Sequence, residues 1–114
     1  MAIYCRAARL RPGPPGRTKH QVGLPTELGG APVPMPEPTF IVIYPVDQGF
    51  LIERFADIAI PAGDTCHHTE QDACDQAAWE YGERLGPWVD LPDGPTDLAD
   101  VVTQLDRVTF TDAD

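Results

Sequence analysis

The chain has no uninterrupted apolar run of the roughly 20 residues that a membrane-spanning helix needs. Its basic start runs straight into RLRPGPPGRTK, so the apolar core of a secretory signal is missing. Cysteine is scarce: there are three, an odd number, and Cys5 lies far along the chain from Cys66 and Cys74. That does not make a disulfide framework and fits a reducing cytoplasm. No glycine-rich phosphate loop, Ser–His–Asp order or pair of catalytic carboxylates stands out, and there is no internal repeat. A soluble, cytoplasmic, non-enzymatic protein is the expectation.

Basic charge is scarce too, but unevenly. Residues 39–114 carry only Arg54, Arg84 and Arg107 against sixteen acids, a net charge of about −13. Residues 1–38 carry five basic residues against Glu27 and Glu37, and eight of the thirteen prolines. A surface as acidic as that of residues 39–114 excludes direct binding to nucleic acid, whose phosphates need cations. The first segment has few bulky apolar residues, so burial cannot offset the entropy of ordering it. It is expected to be a disordered leader over residues 1–38, a tail for an anionic partner or the product of a misassigned start, with Met35 as the alternative first residue. Residues 39–111 form the expected domain, and residues 112–114 a frayed tail. A domain of this size buries only about 60% of its unfolded surface and is marginally stable.

The domain reads as α+β. Thr39 to Val46 is rich in β-branched and aromatic residues on both faces, which suits a central strand. Asp47-Gln48-Gly49 is a hairpin turn. From Phe50 to Ile60, residues Phe50, Ile52, Ala56, Ile58 and Ile60 share a face that Arg54 interrupts. Pro61-Ala62-Gly63-Asp64 reads as the closing turn. A helix then starts at Thr69 as N-cap and runs to Gly86-Pro87. Its apolar face is Ala73, Cys74, Ala77, Ala78, Tyr81 and Leu85. The other face is Asp72, Asp75, Gln76, Glu80 and Glu83, with Trp79 in the middle. A short third strand (Trp88–Leu91), a second helix from Thr96 to Leu105 and an extended piece over Arg107–Phe110 complete the order ββαβα: an antiparallel hairpin of two or three strands packed by one amphipathic helix, with a second short helix.

Two clusters are candidates for chemistry. Cys66, His67, His68 and Cys74, with Asp64 nearby, are the residue types that hold zinc, but the paired short spacings of a zinc site are missing. Cys66 beside His67 ahead of a helix is also a conceivable thiol nucleophile, although no orienting partner or oxyanion pocket accompanies it. The plain alternative is a solvated turn. The second cluster is Trp79 with Asp72, Asp75, Glu80 and Glu83. An aromatic ringed by carboxylates suits a basic protein partner.

The motifs GDT-x-H, DA-x-x-QA-x-x-EYG and PW-x-x-LP resemble a group of small uncharacterised actinobacterial proteins. The matching residues are Gly63, Asp64, Thr65, His67, Asp72, Ala73, Gln76, Ala77, Glu80, Tyr81, Gly82 and Trp88, within about residues 50–92. Cys66 stands where that group has Trp. The resemblance implies a bacterial cytoplasmic protein beginning near Met35, a structural turn at Cys66, and no particular activity.

The favoured expectation is an interaction or regulatory protein that binds a protein partner through Trp79, Asp72, Asp75, Glu80 and Glu83, with no cofactor. The alternatives are a zinc-binding or thiol-based protein using Cys66, His67, His68 and Cys74, and an acidic nucleic-acid mimic that occupies a DNA-binding protein.

Overall fold

A computed structural model of the chain describes residues 3–13, 21–22, 33–34 and 36–107. It is an α+β fold. Five antiparallel strands form one sheet, in the order β6-β5-β4-β1-β7, and each face of the sheet carries a helix. The strands are β1 (Arg6–Arg9), β4 (Phe40–Val46), β5 (Gly49–Asp57), β6 (Ile60–His67) and β7 (Val89–Asp90). Two residues at Gln21–Val22 (β2) pair with Val33–Pro34 (β3) as a separate ribbon. The helices are α1 (Glu70–Tyr81), continued by a 3-10 turn over Gly82–Arg84, and α2 (Leu98–Asp106). No helix among the described residues is long and apolar enough to cross a membrane.

The β4–β5 hairpin forms as its residues dictate. Phe40 faces Phe55 across the ladder and Val46 faces Gly49. Gly49 has a φ of 146°, and a Cβ there would fall 2.1 Å from the carbonyl oxygen of His67. Glycine thus lets the turn close against the end of β6.

The leader expected to be disordered over residues 1–38 contains a strand of the central sheet. Residues 6–9 are not coreless: β1 lies between β4 and β7, with Ala7 opposite both Val42 and Val89. Ala7 and Ala8 are fully buried, and Tyr4 and Leu10 join the core. Neighbouring strands supply the apolar surface that this segment lacks, and its small alanines let both helices approach. A chain beginning at Met35 would lose this strand. Residues 14–20, 23–32 and 35 lie outside the described residues.

Pro61-Ala62-Gly63-Asp64 do not form the expected closing turn. The chain turns earlier, at Ile58-Ala59, and these residues belong to β6. The ladder slips by one residue between Glu53 and Phe55, and Gly63 sits in that bulge with φ 110°. A bulge accommodates an extra residue and the glycine it needs without ending the strand.

Opposite faces of the sheet bury different sets. Under α1 lie Ala8, Leu10, Ile41, Ile43 and Ile52, met by Ala73, Cys74, Ala77 and Tyr81. Under α2 lie Tyr4, Ala7, Phe40, Val42 and Phe55, met by Leu91, Val101 and Leu105. Phe40 and Phe55 stack with centroids 5.3 Å apart. Both helices are capped by side chains. Thr69 accepts from the Asp72 N–H at 3.0 Å, and Asp97, one residue after the expected Thr96, accepts from Ala99 at 2.9 Å. The expected extended piece over Arg107–Phe110 has a turn at Arg107, and its remainder, like residues 112–114, lies outside the described residues.

Candidate functional site

The site is built around α1. At 100° per residue the helix turns Ala73, Ala77 and Tyr81 to the sheet. One flank, carrying Glu70 and Cys74, meets β1: the Arg6 guanidinium reaches Glu70 at 3.5 Å and the Cys74 Sγ at 3.5 Å. The Cys5 thiol donates to Glu70 at 3.2 Å, and burial together with that hydrogen bond pushes Cys5 up to about 12.

The opposite flank meets β5 and β6 through Glu80. This residue is 2% exposed, not part of an outward acidic face as its sequence spacing suggested. Its carboxylate accepts from Arg54 Nη2 at 2.6 Å and Nε at 3.1 Å. Arg54 is fully buried; its Nε lies 3.0 Å from the Tyr81 hydroxyl and its Nη2 donates to Thr65 Oγ1 at 3.2 Å. Nη1 of Arg54 is buried with no hydrogen-bond partner among the described residues. Burial, chiefly, drives Tyr81 up to about 12. The lone Arg on the apolar face of β5 is therefore neutralised by Glu80, which borders the apolar face of α1 beside Ala73. Removing either partner would strand a charge in the core.

The network ends at His67. Thr65 Oγ1 lies 2.8 Å from His67 Nε2. The hydroxyl accepts from Arg54 and keeps a second acceptor site and one proton, so this contact serves either tautomer of the imidazole. Burial, then the nearby Arg54 charge, lower the His67 pKa from 6.5 and favour the neutral ring.

Beside this network an open cleft of about 450 Å³ is lined by Gln48, Cys66, His67, His68 and Asp72. The residues singled out for metal or thiol chemistry are only partly brought together there. Cys74 is buried in the core under α1 and does not join the cleft. Among the described residues, no three His, Cys, Asp or Glu side chains come together to hold a metal ion. The register also separates Cys66 from His67: Cys66 is opposite Leu51 and His67 opposite Phe50, so the pleat sends them to different faces. Cys66 is exposed, and all three cysteines are free. The zinc set and the Cys–His couple, the alternatives that the sequence offered to a solvated turn, are not assembled among the described residues.

The acidic cluster fares differently. Trp79 is 51% exposed, with Asp72, Asp75 and Glu83 exposed around it and Gln76 half-buried. Ala78, expected in the core, is exposed as well. Gln71 donates to Asp75 at 2.9 Å along the outer face. Asp72, Asp75 and Trp79 follow one another at three and four residues, which places them on one stripe. No protein-family model, curated protein or solved structure matches the chain.

Proposed function

We propose that the protein is a small, non-enzymatic interaction module that binds a protein partner through the outer face of α1. The observation that carries this reading is a tryptophan half exposed in the middle of exposed carboxylates. A large aromatic that is half exposed is uncommon, and at interfaces such residues concentrate the binding energy. Asp72, Asp75 and Glu83 surround it and suit a basic partner by charge. Glu80 does not take part; it holds the helix from below. The three free thiols accord with a cytoplasmic setting.

A nucleic-acid mimic would need carboxylates spread over a broad continuous surface. On α1 they share their face with Trp79, Gln76 and Ala78, so a protein contact centred on the aromatic is the better supported reading.

The test is capture from host lysate by the full chain and by Trp79→Ala, with nuclease present. A partner held by the first and lost by the second supports the reading. Equal capture by both removes it.

A further inference from the structure

The Trp79 stripe runs beside an open sheet edge. β6 is the outermost strand of the sheet, and no described strand pairs with its outer side. The helix orients the stripe toward that edge. Glu80 lies on the flank of α1 that reaches Arg54 and Thr65, while Glu70 and Cys74 lie on the flank that reaches β1. Continuing outward from Glu80 at 100° per residue, the next positions are Gln76, Asp72 and Trp79. They therefore sit on the β6 side of the helix. The cleft agrees, since it joins Asp72 of α1 to Cys66 and His67 of β6.

An edge strand presents unpaired N–H and C=O groups to any chain that lies alongside. Here the usable length is limited. Pro61 has no N–H, and the bulge at Gly63 breaks the ladder. The regular stretch is Asp64 to His67, which pairs residue for residue with Glu53 to Phe50. A strand added there lies about 4.8 Å beyond β6 and sends alternate side chains to the α1 side. Those side chains meet Asp72 and Trp79, and the ones on the other side approach Asp64. Neither β6 nor α1 contains a lysine or arginine. A second copy of this chain would set the same carboxylates against each other.

We infer that the Asp64–His67 edge takes a short, extended, basic segment of the partner protein as a sixth strand, with the α1 stripe receiving its arginine or lysine side chains. The inference rests on the Trp79 reading and adds the partner's conformation and chemistry to it. Backbone pairing fixes the register of the segment. Carboxylates and the indole face select cations at alternate positions.

The test uses the full chain and a nine-residue peptide alternating arginine and valine. A version N-methylated at every interior residue keeps the charge but cannot pair as a strand. The expected result is tight binding of the plain peptide, at least about tenfold weaker binding of the methylated one, and slowed hydrogen exchange of the Asp64–His67 amides on binding. Trp79→Ala is expected to weaken the plain peptide by about tenfold or more. Equal binding of both peptides, abolished by Trp79→Ala, would overturn strand addition and leave the Trp79 reading intact. Protection of Asp64–His67 that survives Trp79→Ala undiminished would keep strand addition and remove Trp79. Protection without peptide, rising with protein concentration, would assign the edge to a second copy. Absence of binding by either peptide would overturn the basic-segment proposal, while the capture experiment judges Trp79 separately.

Discussion

The face of the sheet under α2 and the face under α1 are covered by different means. The α2 face is closed by bulk: Phe40 stacked on Phe55, with Val42, Val101 and Leu105 filling the space between. The α1 face is closed at short range by Ala73 and Ala77, and then cross-braced by the buried Arg54–Glu80 pair. Apolar packing tolerates small rotations of a helix. A charge pair with hydrogen bonds at 2.6 and 3.1 Å does not. The difference teaches why Trp79 faces out. Glu80 is held inward by Arg54, Thr65 lies on the same guanidinium, and the neighbouring residue is thereby directed to solvent. On this account the inner side of α1 sets the helix rotation and the outer side recognises.

Several changes would break or sharpen that contrast. The largest effect is expected from removing residues 1–13, which takes β1 out from between β4 and β7. Both helices lose part of their floor, and cooperative thermal unfolding by circular dichroism should disappear. Next, Glu80→Ala leaves Arg54 buried and unpaired and should cost about 3–5 kcal/mol in denaturant unfolding. The double change Arg54→Met with Glu80→Leu should recover most of that loss, because no buried charge remains. A double variant as unstable as the single one would show that the ion pair is not what matters at this site. Thr69→Ala removes the cap of α1 and should cost about 1 kcal/mol.

The smallest effect is that of pH on the far end of the network. The folded-state pKa of His67 lies below its ordinary 6.5, so below that pH the unfolded chain binds the proton more readily. This contribution to stability is present above about pH 6.5 and is lost as pH falls toward the folded-state value. The ring is met from β6 by Thr65 and from β5, through Thr65, by Arg54; Asp72 and Glu80 of α1 act on it electrostatically and oppose the shift. His67→Gln should flatten the pH dependence of unfolding between pH 7 and about 5, measured against the parent chain.

Much of the α1 side was legible in the sequence. The cap at Thr69, the inward positions of Ala73, Cys74, Ala77 and Tyr81, and the β4–β5 hairpin all follow from local periodicity and turn chemistry. Three features were not. β1 was hidden because its buried residues are Ala7 and Ala8, whose small side chains give no hydropathy signal among arginines. β6 was hidden because Pro61 and Gly63 are turn residues everywhere except at an edge or a bulge. Arg54 left a trace in β5, a charge breaking an apolar face, whereas Glu80 left none, because its spacing groups it with the outward acids of α1. Pairing the two requires knowing that α1 crosses β5, which no local pattern states. The site followed the same division. Trp79 and the exposed acids were found by periodicity, whereas the zinc grouping failed because neighbours along a strand point to opposite faces and Cys74 belongs to the core.

The most direct measurement sets Trp79→Ala beside Glu80→Ala, with thermal unfolding and partner binding recorded for both. The account predicts that Trp79→Ala changes stability by no more than about 0.5 kcal/mol and loses the partner, while Glu80→Ala loses stability by several times that amount. If Trp79→Ala unfolds as readily as Glu80→Ala, Trp79 is a packing residue, and the division of α1 into a holding side and a recognising side is wrong.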